Sequence, residues 1–367
     1  MSVGELLLTG FPGFRARAVL ARALELDPGA APTLLVHPER RADADRALEA
    51  LPLGGRVRVL EGDPSGIDFG LSREEYFALA ERITHVQHVY QVLDLAAPAV
   101  AADAVNVGGV RELVEFARVA RRLEHVVHHS SIFVSGDRQG TVLEKDLGAK
   151  QSFRSPVARS LALSEAMLGR APGVPLTVMR TGHVVGDTKT GEVDRLDGPY
   201  PLLVLLASAP RGMPLPLPQR VEAPVHVAPV DFVARAALAL GGAPAAVGKC
   251  VHLIDPEPLG VGRLLELTAA RFGVPLDTRI SARAIGRALF GNPGLGLVAQ
   301  NLRGLVELIT NPARYDDTVA RELFPARDER CPPLEAYLDV LLSHVSARVA
   351  EKRVTVPVPK EPYHVAS

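Results

Sequence analysis

The sequence predicts an α/β protein: a doubly wound parallel sheet followed by a smaller, mainly helical lobe. Short apolar runs alternate with longer stretches of helical period as far as Ile254, and beyond Ile254 the helical patterns continue alone. The first run, residues 5–9, carries Leu6, Leu7 and Leu8 and leads into an amphipathic stretch at 14–26. Residues 33–37 repeat the pattern with Leu34, Leu35 and Val36, and residues 56–60 with Val57 and Val59. Runs at 85–89 and 125–131 flank a helical stretch at 100–122, and a further helix at 157–169 precedes the run at 176–180. Residues 251–254 complete the sheet. Such runs suit a parallel sheet because helices cover both of its faces. Helical periods at 260–272, 285–290, 296–309 and 334–350 then predict a lobe that closes over the sheet. The expected division is a sheet domain at 1–254 with an insertion around 187–230, a helical lobe at 255–352, and an extended tail at 353–367.

At 367 residues, 47% hydrophobic and 23% charged, the chain is long enough for a full α/β core and an added lobe. Its formal net charge of -1 comes from interleaved charges of both signs, so the basic field that attracts nucleic acid is missing. Cys250 and Cys331 stand far apart without CxxC spacing, which predicts neither a disulfide framework nor a metal site and suits a reducing cytoplasm. The first residues enter an apolar run with no basic region ahead of it, so a secretory signal is not expected and the expected location is cytoplasmic. No apolar stretch reaches the roughly 20 residues that span a bilayer. The nearest, 201–209, reads as a helix or lid over a cleft, or else as a patch that touches lipid or a long acyl chain.

Thr9-Gly10-Phe11-Pro12-Gly13-Phe14 lies between the first strand and the first helix. Glycines there permit a tight turn and close approach of the backbone to a pyrophosphate, whose charge the helix N-terminus favours. Ala16 takes the place of a third glycine and is small enough for close helix–strand packing. The competing reading is a strand-to-helix turn without a ligand. The second strand ends in His37 rather than a carboxylate, with Arg40 and Arg41 just beyond it. A carboxylate would bind the ribose hydroxyls of NAD(H), whereas basic residues suit the 2′-phosphate of NADP(H). NADP(H) is therefore the expected cofactor, with NAD(H) second, unless these arginines only cover a solvated helix start.

Further motifs follow in order: Asp63 after the third strand, His88 at the end of the fourth, Asn106-Val107-x-Gly109 in the next helix, and Ser130-Ser131 on the fifth strand. Val184-Val185-Gly186-Asp187, Asp197-Gly198-Pro199-Tyr200 and the Cys331-Pro332-Pro333 turn extend the series over nearly the whole chain. Together they resemble the extended short-chain dehydrogenase/reductase family, especially its thioester-reductase and fatty acyl-CoA reductase (male sterility-like) branch. The resemblance implies a Rossmann-like fold. It places Thr9, Gly10, Phe11, Pro12, Gly13, Phe14, His37, Arg40, Arg41, Asp63 and Tyr90 at the cofactor, and Asn106 and Ser131 in the active site, with Ser131 orienting the substrate. It also implies a tyrosine that exchanges the substrate proton and a lysine, four residues on, that lowers the tyrosine pKa.

Phe153, Arg154, Pro156, Arg159 and Glu165 match the branch pattern around that dyad, and in this register Val157 takes the tyrosine position and Leu161 the lysine position. Neither side chain can exchange a proton or hold a charge. The fourth strand continues into Tyr90 and Gln91, where the family has small residues that pack on the dinucleotide. Tyr90 offers a relocated phenol. His128, His129 and His183, at strand ends, offer either general acids in the cleft or buried imidazoles satisfied by backbone groups. The expectation is a dinucleotide-binding, catalytically degenerate binding or regulatory protein. The alternative is an NADP-dependent reductase of an acyl thioester, aldehyde or ketone with rearranged acid–base residues. Expected partners are the nucleotide cofactor and a small-molecule or acyl ligand, with a homodimer through the helices after the fourth and fifth strands as a further expectation.

Overall fold

Leu6, Leu7 and Leu8 have almost no exposed surface, and they build the first strand of a seven-stranded parallel sheet. The structure is a computed structural model that describes residues 4–51, 56–147, 151–210, 212, 215–216, 223–277 and 311–351. Its first half runs β1 (Leu6–Thr9), α1 (Phe14–Leu26), β2 (Thr33–Val36), α2 (Arg41–Glu49), β3 (Arg58–Glu61), α3 (Arg73–Arg82) and β4 (His85–His88). Then come α4 (Ala99–Ala102), a π-helical turn (Asp103–Gly108), α5 (Gly109–Val119), β5 (His125–Ser131), β6 (Thr141–Val142), α6 (Pro156–Gly169) and β7 (Leu176–Thr181). The rest comprises β8 (His183–Val185), α7 (Tyr200–Ser208), β9 (Leu215–Pro216), β10 (Val227–Pro229), α8 (Val230–Gly241) and β11 (Cys250–Leu253). α9 (Val261–Phe272), β12 (Leu276–Asp277), β13 (Arg314–Tyr315), α10 (Thr318–Leu323) and α11 (Leu338–Ala350) complete the described elements.

The sheet order is β11-β7-β5-β4-β1-β2-β3, every neighbour parallel. The strand sequence reverses between β1 and β4, which opens a crevice at their C-terminal ends. α1 and α8 cover one face through Val19, Leu20, Phe232 and Val233, and Tyr76, Leu79, Leu113 and Phe116 of α3 and α5 cover the other. All seven predicted strands are present, displaced by at most two residues at either end.

The C-terminal lobe is mainly helical among the described residues, yet β12 and β13 show that strands do not stop at Ile254. β13 returns to pair with β6, Arg314 opposite Thr141. The apolar stretch 201–209 is α7, a helix whose Leu203 and Leu206 are buried in a core shared with Leu264 of α9 and Leu341 of α11. That burial excludes the lipid-facing patch, because the side chains that would meet lipid are already packed against protein. No helix among the described residues is long and apolar enough to cross a membrane. The expected helices at 285–290 and 296–309 and the tail at 353–367 lie outside the described residues.

Glu165 of α6 and Arg180 of β7 form an ion pair in which both side chains are 2% exposed, with Nη2 to Oε2 at 2.7 Å. Arg180 Nε also donates to the same carboxylate, at 3.0 and 3.1 Å, and Ser130 Oγ donates to Glu165 Oε1. The outer guanidinium nitrogen donates to the carbonyls of Glu144 and Asp146 at 3.3 and 3.1 Å. Every charge here is matched, the condition under which a buried pair is tolerated. Glu165→Gln, which leaves Arg180 charged in the interior, is expected to lower the unfolding free energy by about 3–5 kcal/mol in urea denaturation.

Candidate functional site

The glycine loop is pressed against the end of β4. Gly10 has φ +81, and a Cβ on it would come within 2.8 Å of the Tyr90 nitrogen, so only glycine fits. Thr9 Oγ1 accepts the Val89 and Tyr90 amides at 3.1 and 3.2 Å and lies 3.2 Å from His88 Nδ1. The Gly13 amide donates to Gly10 O at 2.9 Å, closing the turn from which α1 starts. Sequence and local structure agree here: small residues are needed because two backbone segments touch.

Above this loop lies a cavity of about 590 Å³, within the range of small-molecule sites. It runs from His37, Arg40 and Asp43 past Gly10, Phe11, Pro12, Gly13 and Phe14 to Ser131, Phe133 and His183. Tyr90 and Gln91 line it without filling it. Tyr90 finds room beside Gly109, where a Cβ would approach its ring to 3.2 Å.

At the outer end, the His37 imidazole accepts the Glu39 amide at 3.3 Å, and Arg40 Nε meets Asp43 at 2.9 Å. Arg41 turns instead to Asp45 and Glu61, and it is not among the residues lining the cavity. Asp63 accepts the amide and hydroxyl of Ser65 at 2.8 and 2.7 Å, while its neighbour Pro64 lines the cavity. At the inner end, Ser131 Oγ donates to Thr181 O at 3.3 Å and accepts the Phe133 amide at 3.4 Å, two long bonds that hold the hydroxyl weakly. His183 stands edge-on to Phe133, and burial together with His226 pushes its pKa down to about 4, so it is neutral near pH 7.

Other predicted residues lie beneath the cavity. Val157 and Leu161 are fully buried in one apolar cluster with Val92, Val105, Ile132 and Phe133. Neither lines the cavity. His128 and His129 are also buried off the cleft, and they meet the side-chain amides of Gln91 and Gln87 rather than backbone groups. Asn106 is a clamp: its Oδ1 accepts the Val92 amide at 2.8 Å, and its Nδ2 donates to Val92 O at 3.1 Å and Ser160 Oγ at 2.8 Å. Its site on the π-helical turn fits the habit of such turns to mark functional ground.

A dinucleotide fits these groups: the glycines leave no side chain between a phosphate and the start of α1, and Arg15, lining the cavity beside them, carries a buried nitrogen without a partner. The family model described as male sterility protein, a set of NAD-binding domains, matches residues 8–237. The chain belongs to the male sterility protein family. Within the extended short-chain dehydrogenase/reductases, this male sterility-family chain is 27% identical over 217 residues to glycine betaine reductase of Emericella nidulans, covering 58% of the chain and 17% of that protein. It is 27% identical over 265 residues to carboxylic acid reductase of Segniliparus rugosus, covering 67% of the chain and 21% of that protein. The chain thus spans about a fifth of the length of these relatives. The terminal R domain of the myxalamid PKS-NRPS pathway has the same fold, with TM-score 0.79 and 23% identity over 97% of this chain and 93% of that one.

Sequence reading missed the charges that frame the cavity of this male sterility-family protein. Arg17 pairs with Asp194 at 2.5 Å and Arg195 with Asp94 at 2.8 Å, which straps the 193–197 segment to α1 and to the loop after β4. Arg15 sits one turn before Val19 on the buried face of α1, an arginine at an apolar position of the helical period that was the signal to read. Asn106→Ala is expected to leave both Val92 backbone groups unpaired and to cost about 1–3 kcal/mol for each, measured by urea denaturation.

Proposed function

We propose that the chain is an NADP(H)-dependent reductase whose substrate is an acyl thioester rather than an aldehyde or ketone. The observation that carries the reading is the continuous cavity that joins the glycine loop to Ser131 in a member of an NAD-binding family. The degenerate binding protein expected from the sequence draws no support from the relatives, several of which are named as reductases.

When bound, the reduced nicotinamide supplies a hydride. Gly10 and Gly13 would admit the phosphates to the start of α1, and Arg40, exchanging Asp43 for a 2′-phosphate, would favour NADP(H) over NAD(H). Ser131, with its two long hydrogen bonds, is free to turn its hydroxyl toward a carbonyl oxygen and hold the charge that develops there. Neutral His183 can donate one further N–H. Phe133 walls the inner end of the cavity against water.

Val157 and Leu161 contribute no proton relay, and this favours thioesters. Reduction of an aldehyde or ketone leaves an alkoxide that must be protonated, whereas a thioester can expel a thiolate, whose conjugate acid has a pKa of about 8.5, with little acid help. Without such a relay the rate is expected to fall about 10²–10⁴-fold below that of a phenol-assisted site.

Calorimetric titration is expected to give micromolar binding of NADPH and weaker binding of NADH, with the difference abolished by Arg40→Ala. Ser131→Ala is expected to slow thioester-dependent NADPH oxidation about 100-fold with NADPH affinity unchanged. Absence of binding by either dinucleotide at millimolar concentration overturns the reading.

A further inference from the structure

We propose that Arg15 is an anion-binding residue that grips the diphosphate of the dinucleotide from within the first turn of α1, an inference that rests on the cofactor reading above and deepens it. Arg15 is the second residue of this 13-residue helix, 9% exposed, and it lines the cavity beside Gly13 and Phe14. Its Nη1 is buried without a hydrogen-bond partner, and Nη2 reaches only Gln91 Oε1, at 3.5 Å.

No carboxylate answers this charge among the described residues. The other arginines on the cavity are matched: Arg17 by Asp194, Arg40 by Asp43 and Arg195 by Asp94. The titratable groups that feel its charge, His128 and His129, are buried imidazoles that bring no negative charge. Burial lowers the Arg15 pKa to about 10, which leaves it a cation at neutral pH. A guanidinium out of water and without a counter-charge is costly to keep. It becomes favourable when an anion enters.

The surroundings select the kind of anion. The N-terminus of α1 adds a partial positive charge, and the glycine loop exposes backbone where a bulky group can approach. A diphosphate, with two charges and many acceptor oxygens, can meet the helix start and the arginine together. Ligand binding then supplies the counter-charge that the folded chain alone leaves out.

The test compares wild type with Arg15→Leu and Arg15→Gln, the second removing the charge while retaining hydrogen-bonding capacity in case the first does not fold. Inorganic pyrophosphate at millimolar concentration is expected to raise the melting temperature of wild type by several degrees and to leave both variants unmoved. By calorimetry both variants are expected to bind NADPH about 10–100-fold more weakly than wild type. If wild type and both variants bind NADPH and pyrophosphate equally, the Arg15 proposal fails while the cofactor reading stands. If wild type binds pyrophosphate through Arg15 but neither dinucleotide, the cofactor reading fails and with it the assignment to a dinucleotide.

Discussion

The buried pair between Glu165 and Arg180 is the constraint on which the rest of the molecule depends. Arg180 lies on a buried strand, so its charge persists only because α6 places a carboxylate against it and the segment around residue 145 supplies two carbonyls. Ser130, the residue before Ser131, donates to the same carboxylate. The cavity-facing end of β5, the helix α6 and the strand β7 are therefore fixed by a single charge balance. Moving any one of them would uncover an ion in the interior.

From that fixed frame the cavity follows by close contact. Gly10 lies against the backbone of Val89 and Tyr90 just after β4, Thr9 holds the amides of these two residues, and Asn106 pins Val92 two residues further on. The chain after β4 is thus held at three successive places, which is how Tyr90 and Gln91 can be large without occupying the cavity. Room for Tyr90 is made by glycine at 109, so the bulk on the strand and the gap on the helix belong together.

The sheet was legible in the sequence because each strand is a short apolar run between breakers, and parallel strands buried on both faces carry the strongest such signal. Residues 125–131 even have the predicted bounds. The glycine loop was legible for the same local reason: its backbone conformation requires glycine. Charge pairing was not legible. Arg40 and Arg41 read alike in sequence, yet one lines the cavity and the other turns to Asp45 and Glu61, and Asp194 meets Arg17 across 177 positions of chain. Asn106 was placed in the active site by family pattern, and its three hydrogen bonds show a clamp that no spacing rule contains. The helical lobe was over-simplified because two-residue strands such as β13 have no period to detect.

Glu144 gives the lobe its standing in the whole. Its carboxylate accepts the His252 amide of β11 and also the amides of Val319 and Ala320 in α10, while β13 pairs with β6 beside it. One side chain from the middle of the chain thus ties the last strand of the sheet to a helix near the C-terminus. Contacts of such long separation carry a large loop-closure cost, which the packing around them must offset. The two parts of the chain therefore share one hydrogen-bonded network, and a fragment ending near Ile254 would leave the Glu144 carboxylate without the Val319 and Ala320 amides.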